Sequence, residues 1–457
     1  MVATSPADPG ASRIGVVETR RLDGHLDRDI LDRAFAWVVR RHDALRLVFD
    51  TVSLDPTVRV LTDFTPAVEY VDTAGLPPAQ RDSLVNRSLF QHCRRTYDLF
   101  RGPLWQALLV RLAHDSHLMS VAMSHIIADG YSSTVFFNDL FRAYAALCDG
   151  RPLVEPPAPS IHDIHAAQLA SYRRAEERLD YWRRLIPVHS FPPAFTLSPT
   201  GSEVDYLRNR LVDIVIPEQS ARGLRRTAWR VGATPFVALM AAYHAVLGAI
   251  TGKERTVVAT AGFGRSTASY RSAVFQFATY PYVSVPVGDQ DDLLQLVGAT
   301  RHALSEALTQ SVSYTSLARA VNPDFDALRP WPAANFVDGG MYSWAPDPHD
   351  IRLPELTVRS VEISVASPPG YTSEYTSAAF PQGHPQVWIA RGEPSIAVSS
   401  DRRRVIVAYN DELFPSAEVE AFCVGVRWVV DQVAHRATLP MAEVRRTLSA
   451  ILADGQR

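Results

Sequence analysis

At 457 residues, 47% hydrophobic and 21% charged, the chain has the make-up of a globular protein. It is too long for one ordinary core, so two domains of roughly 200 residues each are expected. Its 46 Lys and Arg against 49 Asp and Glu leave a net charge of −3, which supplies no electrostatic footprint for nucleic acid or an anionic membrane.

In chain order, IGVVETRRL (14–22) reads as a strand. A helix is predicted from an Asp27 N-cap, because Ile30, Leu31, Ala34, Phe35 and Val38 recur at helical spacing. RHDALRLVF (41–49) leads out of that helix into an extended stretch. LWQALLVRL (104–112) and HLMSVAMS (117–124), with four residues between them, predict an antiparallel hairpin whose second strand runs into His125. STVFFNDLFRAYAAL (133–147) predicts a core-facing helix, which leaves HIIADG in a strand-to-helix loop where rigid neighbours aim a polar side chain. Another helix is expected over Ile164 to Leu185. PVHSFPPAFTLSPTGSE (187–203) is the candidate linker, giving an N-terminal lobe 1–186, a linker 187–206 and a C-terminal lobe 207–457. The second half predicts a strand at RLVDIVI (210–216), a helix with Thr234 as N-cap and Pro235 at N1, and a strand at TVVATA (256–261) ending in Gly262, Phe263, Gly264 and Arg265. A β-rich run (280–287), a helix (291–309), a strand (404–410) and a helix from Ser416 to Val433 follow.

Cys93, Cys148 and Cys423 make no C-x-x-C pair and no disulfide framework, which fits a reduced compartment. Residues 1–13 lack the charged and apolar regions of a secretory signal, and no apolar run approaches the ~20 residues that span a bilayer. A cytoplasmic protein without a membrane span is expected. His162 and His165 share no geometry with a Cys or carboxylate cluster, so no metal site is expected. His125 is the candidate for chemistry, since a neutral imidazole accepts and returns a proton near pH 7. Asp129 is suited to a charged partner that fixes the loop, and Gly130 to a tight turn in which a side chain would collide.

Several segments, in the same order, resemble the condensation-domain superfamily of non-ribosomal peptide synthetases, whose relatives include chloramphenicol acetyltransferase and the polyketide-associated acyltransferases. The family's H-H-x-x-x-D-G motif corresponds to Ser124–Gly130, with the second histidine kept as His125 and the first replaced by Ser124. RHDALRLVF (41–49), YDLFRGPLWQALLVRL (97–112) and the 160–186 segment ending in Y-W-x-x-x-L are similar to family segments, and on this basis His42 and Asp43 are read as structural contacts. ATAGFGR (259–265) resembles the loop whose arginine pairs with the motif aspartate, which makes Arg265 the expected partner of Asp129. ANFVDGG (334–340) and YNDELFPSAEVEAF (409–422) resemble the asparagine-bearing strand and the last strand and helix.

The resemblance implies an α/β fold of two chloramphenicol-acetyltransferase-like lobes, each a mixed sheet with flanking helices, and an active-site tunnel between them. It implies His125 as the catalytic residue, Asp129, Gly130 and Arg265 as structural at the site, and Ser124, Tyr131 and Asn335 as tunnel positions; Tyr131 and Ser132 border the acceptor channel, or Ser132 or Ser133 caps the helix. The implied reaction moves an acyl or aminoacyl group from a phosphopantetheine thioester on a carrier protein, met in trans by a free-standing enzyme, to an amine or alcohol. Amide and ester products, and proton abstraction or nucleophile positioning by His125, stay open. No other cofactor is implied. The sequence departs from the family at Ala278, where an asparagine is usual, and at SVSYTSL (311–317), both on the acceptor side, so a small soluble acceptor is expected. The rival readings are an O-acyltransferase making a lipid or glycolipid ester, and a catalytically inactive docking platform for a carrier protein or tailoring enzyme.

Overall fold

The structure is a computed structural model that describes residues 4–5, 8–12, 15–51, 57–64, 66, 68–93, 95–154, 158–171, 175–186, 210–265, 267–289, 291–312, 314–321, 335–338, 353, 355–360, 394–399 and 402–454. The predicted linker, 187–206, lies outside the described residues. The chain forms two compact units interleaved in sequence: Met1–Ser171, Phe263–Ala278 and Tyr342–Val387 make the first, and Tyr172–Gly262, Thr279–Met341 and Trp388–Arg457 the second.

The first unit is built on a five-stranded sheet in the order Leu356–Ser360, Gly15–Gly24, Ser116–Ser124, Trp105–Ala113, Val68–Asp72. Its strands are antiparallel except for Val68–Asp72, which runs parallel to Trp105–Ala113. The predicted hairpin forms with only His114 and Asp115 between its strands. Alternation fixes what each face covers. Ala107, Leu109, Met119, Val121 and Met123 point into the main core, whereas Leu108 and Val110 join Leu89 of the helix Pro78–Cys93 in a smaller cluster on the other face.

Two helices close the main core. Arg28–Arg41 starts where the Asp27 side chain accepts from the Ile30 N–H at 3.0 Å, and it buries Leu31, Ala34, Phe35, Val38 and Val39. Gly130–Cys148 begins three residues before the predicted start, because Asp129 and Ser132 form a reciprocal capping box that satisfies the first free N–H groups. The RHDALRLVF segment is extended only from Leu47; Asp43–Arg46 is a 3-10 turn, closed by Arg46 donating to Asp43 at 2.8 Å and to the Leu61 carbonyl at 2.8 Å. Helix is present over Ile161–Ser171 and Ala175–Leu185, where one helix over 164–185 is predicted; residues 172–174 lie outside the described residues. The apolar face changes partner between them. Ile161 and Ile164 bury in the first unit, and Leu179 and Trp182 join the core of the second.

The second unit carries a six-stranded mixed sheet ordered Arg210–Val215, Arg404–Tyr409, Ser395–Val398, Asn335–Asp338, Arg255–Ala259, Tyr282–Pro286. Asn335–Asp338 runs parallel to both of its neighbours. The helix Pro235–Thr251, capped by Thr234, is buried along almost its whole length. The helix Glu218–Arg230, not predicted from the sequence, buries a face made mostly of small residues, Ser220, Ala221, Gly223, Thr227 and Ala228, around Leu224. That smallness serves close packing: a Cβ on Gly223 would lie 2.5 Å from the Ala434 carbonyl oxygen. Among the described residues no single helix is long and apolar enough to cross a membrane; Glu218–Arg230 and Pro235–Thr251 pass such a test only as a pair, bent by 96°.

Candidate active site

The strand Ser116–Ser124 delivers the motif loop. Ser124 is fully buried; its N–H donates to the Leu104 carbonyl at 2.7 Å, and its own carbonyl accepts from Ile127 N–H at 3.0 Å. This tight turn buries Ile127 and Ala128 and leaves His125 half-buried.

Asp129, with 4% of its surface exposed, is held by donors on both oxygens. Oδ1 accepts from Arg265 Nη2 at 2.7 Å, from Ser132 N–H at 2.9 Å and from Ser132 Oγ at 2.7 Å, and Oδ2 accepts from Phe277 N–H at 3.1 Å. A carboxylate taken out of water is tolerated when its lone pairs are met this completely. Arg265 is equally enclosed. Nη1 donates to the Ala273 carbonyl at 2.7 Å and also to that of Tyr270, and Nη2 donates to the Phe275 carbonyl at 3.1 Å. Its guanidinium lies over the rings of Tyr131 and Phe277, 4.6 and 4.5 Å from their centroids. Tyr131 thus packs on the ion pair, edge-on to Phe263 at 5.1 Å between ring centroids.

The glycine this geometry requires is Gly264. Its φ is +64°, and a Cβ there would collide with the Phe277 carbonyl oxygen. Gly130, expected to supply a tight turn, is instead the first residue of the helix and has no left-handed φ. The turn is made by Ser124–Ile127, before the glycine.

Segment 272–278 reaches His125 through a residue that no sequence signal marks. Gln276 Nε2 lies 3.1 Å from His125 Nδ1, while Gln276 Oε1 accepts from Ala278 N–H at 2.7 Å. In the sequence Ala278 stands out for the side chain it lacks. Its contribution is a backbone N–H, which composition cannot reveal. Burial pushes the His125 pKa below its ordinary value of 6.5, against the opposing pull of its own carbonyl, the Asp129 charge and the Ala128 carbonyl, so the ring is neutral at pH 7. Asp129 acts on it only at a distance, since the donors to that carboxylate are Arg265, Ser132 and Phe277.

His42 is a latch. Its Nε2 lies 2.9 Å from Asp139 Oδ2, which also accepts from Arg41 Nε at 2.8 Å, and its Nδ1 accepts from Val274 N–H at 3.3 Å. Asp43 is structural too, accepting from Ile161 N–H at 3.1 Å. Ser124, His125, Asp129, Gly130, Tyr131 and Arg265 therefore gather in the first unit. Asn335 heads a strand of the second, and its side chain lies outside the described residues. Among the described residues no group of three or more His, Cys, Asp or Glu could hold a metal ion.

Residues 15–330 match the Condensation domain family model. The chain belongs to the condensation-domain family. It is 30% identical over 322 residues to the phosphinothricin tripeptide synthetase PhsB of Streptomyces viridochromogenes, covering 69% of this chain and 27% of that one. It is 26% identical over 266 residues to tyrocidine synthase 2 of Brevibacillus parabrevis, covering 58% of this chain and 7% of that one. This condensation domain thus spans about a quarter or less of those relatives' length. Its fold is similar to that of the SgcC5 protein from Streptomyces globisporus (TM-score 0.73, 18% identity, 96% of both chains). It is also similar to the X-domain from teicoplanin biosynthesis (TM-score 0.77, 18% identity, 94% and 92% of the chains). The mixed α/β architecture is therefore the chloramphenicol-acetyltransferase-like fold of condensation domains. Family membership supports a condensation or acyl-transfer role of the non-ribosomal peptide synthetase type.

Proposed function

We propose that this condensation domain transfers an acyl or aminoacyl group from the phosphopantetheine thioester of a carrier protein, supplied in trans, to an amine or hydroxyl acceptor at His125. The observation that carries the reading is a neutral, half-buried imidazole on a loop that the Asp129–Arg265 pair holds rigid. The nucleophile's nitrogen or oxygen bonds to the thioester carbonyl carbon, the C–S bond breaks, and the proton lost by the nucleophile ends on the released thiol. Donor and acceptor supply every atom, so no cofactor beyond the carrier's phosphopantetheine is drawn in. Because the acceptor-side departures lie at Ala278 and 311–317, the acceptor in this reading is a small soluble molecule.

The test supplies an acyl-loaded carrier with candidate amines and alcohols, either free or loaded on a second carrier, and follows acyl loss and product by mass spectrometry. Product from a free acceptor, reduced roughly 10²–10⁴-fold in His125→Ala, is the expected result. Product formed only from the second carrier would overturn the small acceptor. Ester formed only on a lipid alcohol would favour the O-acyltransferase reading, and acyl loss no faster than in His125→Ala with every acceptor would leave a docking platform.

A further inference from the structure

The helix Glu218–Arg230 turns arginines and an open indole to solvent. Its buried side is fixed to the helix Ser416–His435, Ser220 Oγ donating to Asp431 Oδ1 at 3.1 Å and Thr227 Oγ1 to the Val433 carbonyl at 2.9 Å. Arg222, Arg225, Arg226, Trp229 and Arg230, at three- and four-residue spacing, share the opposite side, and all are exposed. Trp229 is 86% exposed, and among the described residues its ring meets no aromatic or cationic partner. Glu218, the single acid of this helix, is shared by Arg222 at 3.9 Å, Arg225 at 3.7 Å and Arg403 at 3.3 Å. Asp431, which faces the helix from its neighbour, is taken by Ser220 and, at 3.1 Å, by His435. Arg226 and Arg230 have no ion-pair partner among the described residues. The exposed Arg301 of the helix Leu293–Thr309 adds a further cation at the end of the face, its Nη1 3.5 Å from where a Cβ on Gly232 would stand.

This arrangement works against the fold taken alone. Arg222 and Arg226, and Arg226 and Arg230, stand four residues apart, where like charges repel and weaken a helix. An indole left in water gains nothing from burial. Both features become favourable against a surface that brings carboxylates to the guanidinium groups and an apolar side chain to the ring, and Trp and Arg are the residues that most often dominate such contacts. We propose that this face docks an acidic helix of a partner protein, with carboxylates three and four residues apart to meet Arg222, Arg225, Arg226 and Arg230 and one apolar side chain to cover Trp229. From 222 to 229 the face is about 10 Å long, the length of two turns of a partner helix. A phosphate ligand suits it less well, because single-stranded nucleic acid is held in a groove by several stacking rings and a membrane by a broad apolar face, whereas this convex helix offers one ring. The contacts use no residue of the motif loop, which belongs to the first unit, and stand whether or not the chain transfers an acyl group.

The test uses the full chain and a fluorescein-labelled, helix-forming peptide of Ala, Glu and Leu, its glutamates spaced three and four residues apart around one leucine, beside a peptide of the same composition scrambled to scatter the charges. Fluorescence anisotropy should show the patterned peptide binding roughly tenfold tighter than the scrambled one, and more weakly as salt is raised. Trp229→Ala and Arg226→Glu should each weaken binding by roughly tenfold or more, the loss that marks an anchoring residue. In ¹H–¹⁵N spectra, the indole N–H signal that Trp229→Phe removes should be the one of the eight tryptophan signals that moves on binding. Arg226→Glu should also keep the urea midpoint at or above that of wild type, since it replaces a repulsion by an attraction to Arg222 and Arg230; Arg226→Gln gives the same readouts without reversing the charge. No binding of the patterned peptide at about 0.1 M salt, equal binding of the scrambled one, or binding untouched by Trp229→Ala and Arg226→Glu would overturn the acidic helix. So would tighter binding of an oligouridylate or of phosphatidylserine vesicles that is lost in the same variants, which gives the face to phosphate. A urea midpoint lowered in both Arg226 variants would assign that arginine to the fold and remove it from the docking face.

Discussion

His42 and His125 are gripped by the same short segment, yet they end with different chemistry. Both are held at Nδ1, His42 accepting from the Val274 backbone at 3.3 Å and His125 lying 3.1 Å from Gln276 Nε2. Burial lowers the pKa of both below 6.5. At the second nitrogen they part. His42 spends Nε2–H on Asp139 at 2.9 Å inside the core, whereas among the described residues no carboxylate is hydrogen-bonded to His125, which lies half-buried. A histidine engaged at both nitrogens has nothing left for a substrate. A histidine that no carboxylate holds is oriented and still available.

The largest effect comes from removing what supports both rings. Asp129 and Arg265 anchor segment 265–277 to the motif loop, so Asp129→Ala and Arg265→Ala should each destabilise the protein by about 3–5 kcal/mol, leaving the other charge buried without its partner. Urea unfolding of both single variants and the double variant checks this. The double loss should fall well short of the sum of the single ones; additive losses would mean that the two side chains do not interact.

How far the sequence reveals this site depends on what kind of group does the holding. The hairpin, the Asp27 and Thr234 caps and the strand into His125 are legible because apolar periodicity and cap residues are local signals. The contact of Arg265 with Asp129 comes from family resemblance, since no local rule joins residues 136 apart. The Gln276 contact is hidden. It depends on the backbone N–H of Ala278 and on the course of segment 272–278, which a left-handed Gly264 makes possible. Gly130 is conspicuous within the motif, but the conformational freedom is needed at Gly264. The helix Glu218–Arg230 goes unpredicted although its small buried residues and its exposed arginines alternate at helical spacing.

A direct contrast sharpens the comparison of the two rings. His42→Ala leaves Asp139 short of a donor and Val274 N–H short of an acceptor in the core, so it should cost about 1–3 kcal/mol of stability and leave turnover per folded molecule near wild type. His125→Ala removes one partly exposed contact and should cost about 1 kcal/mol or less while turnover falls. Denaturation and carrier assays on the same two preparations give the answer. Equal losses of turnover per folded molecule would erase the distinction between the latch and the reacting ring.

The effect that is smallest at neutral pH is one that grows in acid. Histidines kept neutral by burial recur in both units, and two away from the site are depressed strongly: His92, by burial and then the Arg95 charge, and His244, by burial, are each pushed down to about 3. His244 Nδ1 lies 2.8 Å from Thr256 Oγ1, and among the described residues its Nε2 has no hydrogen-bond partner that would reward protonation. The unfolded ring takes up a proton near pH 6.5 and the folded ring does not until about pH 3, so the unfolded state binds more protons throughout that window. Stability is therefore full above pH 6.5 and falls as the pH drops, by about 1.4 kcal/mol per pH unit for each such ring. Gln at position 244 can keep the bond to Thr256 but does not titrate. His244→Gln should accordingly run parallel to wild type above pH 7 and lose stability less steeply between pH 6 and 4, measured as the urea midpoint at each pH. Parallel curves over the whole range would mean that the buried ring takes up its proton at the same pH in the folded as in the unfolded protein, and that enclosure alone does not hold a histidine neutral in this fold.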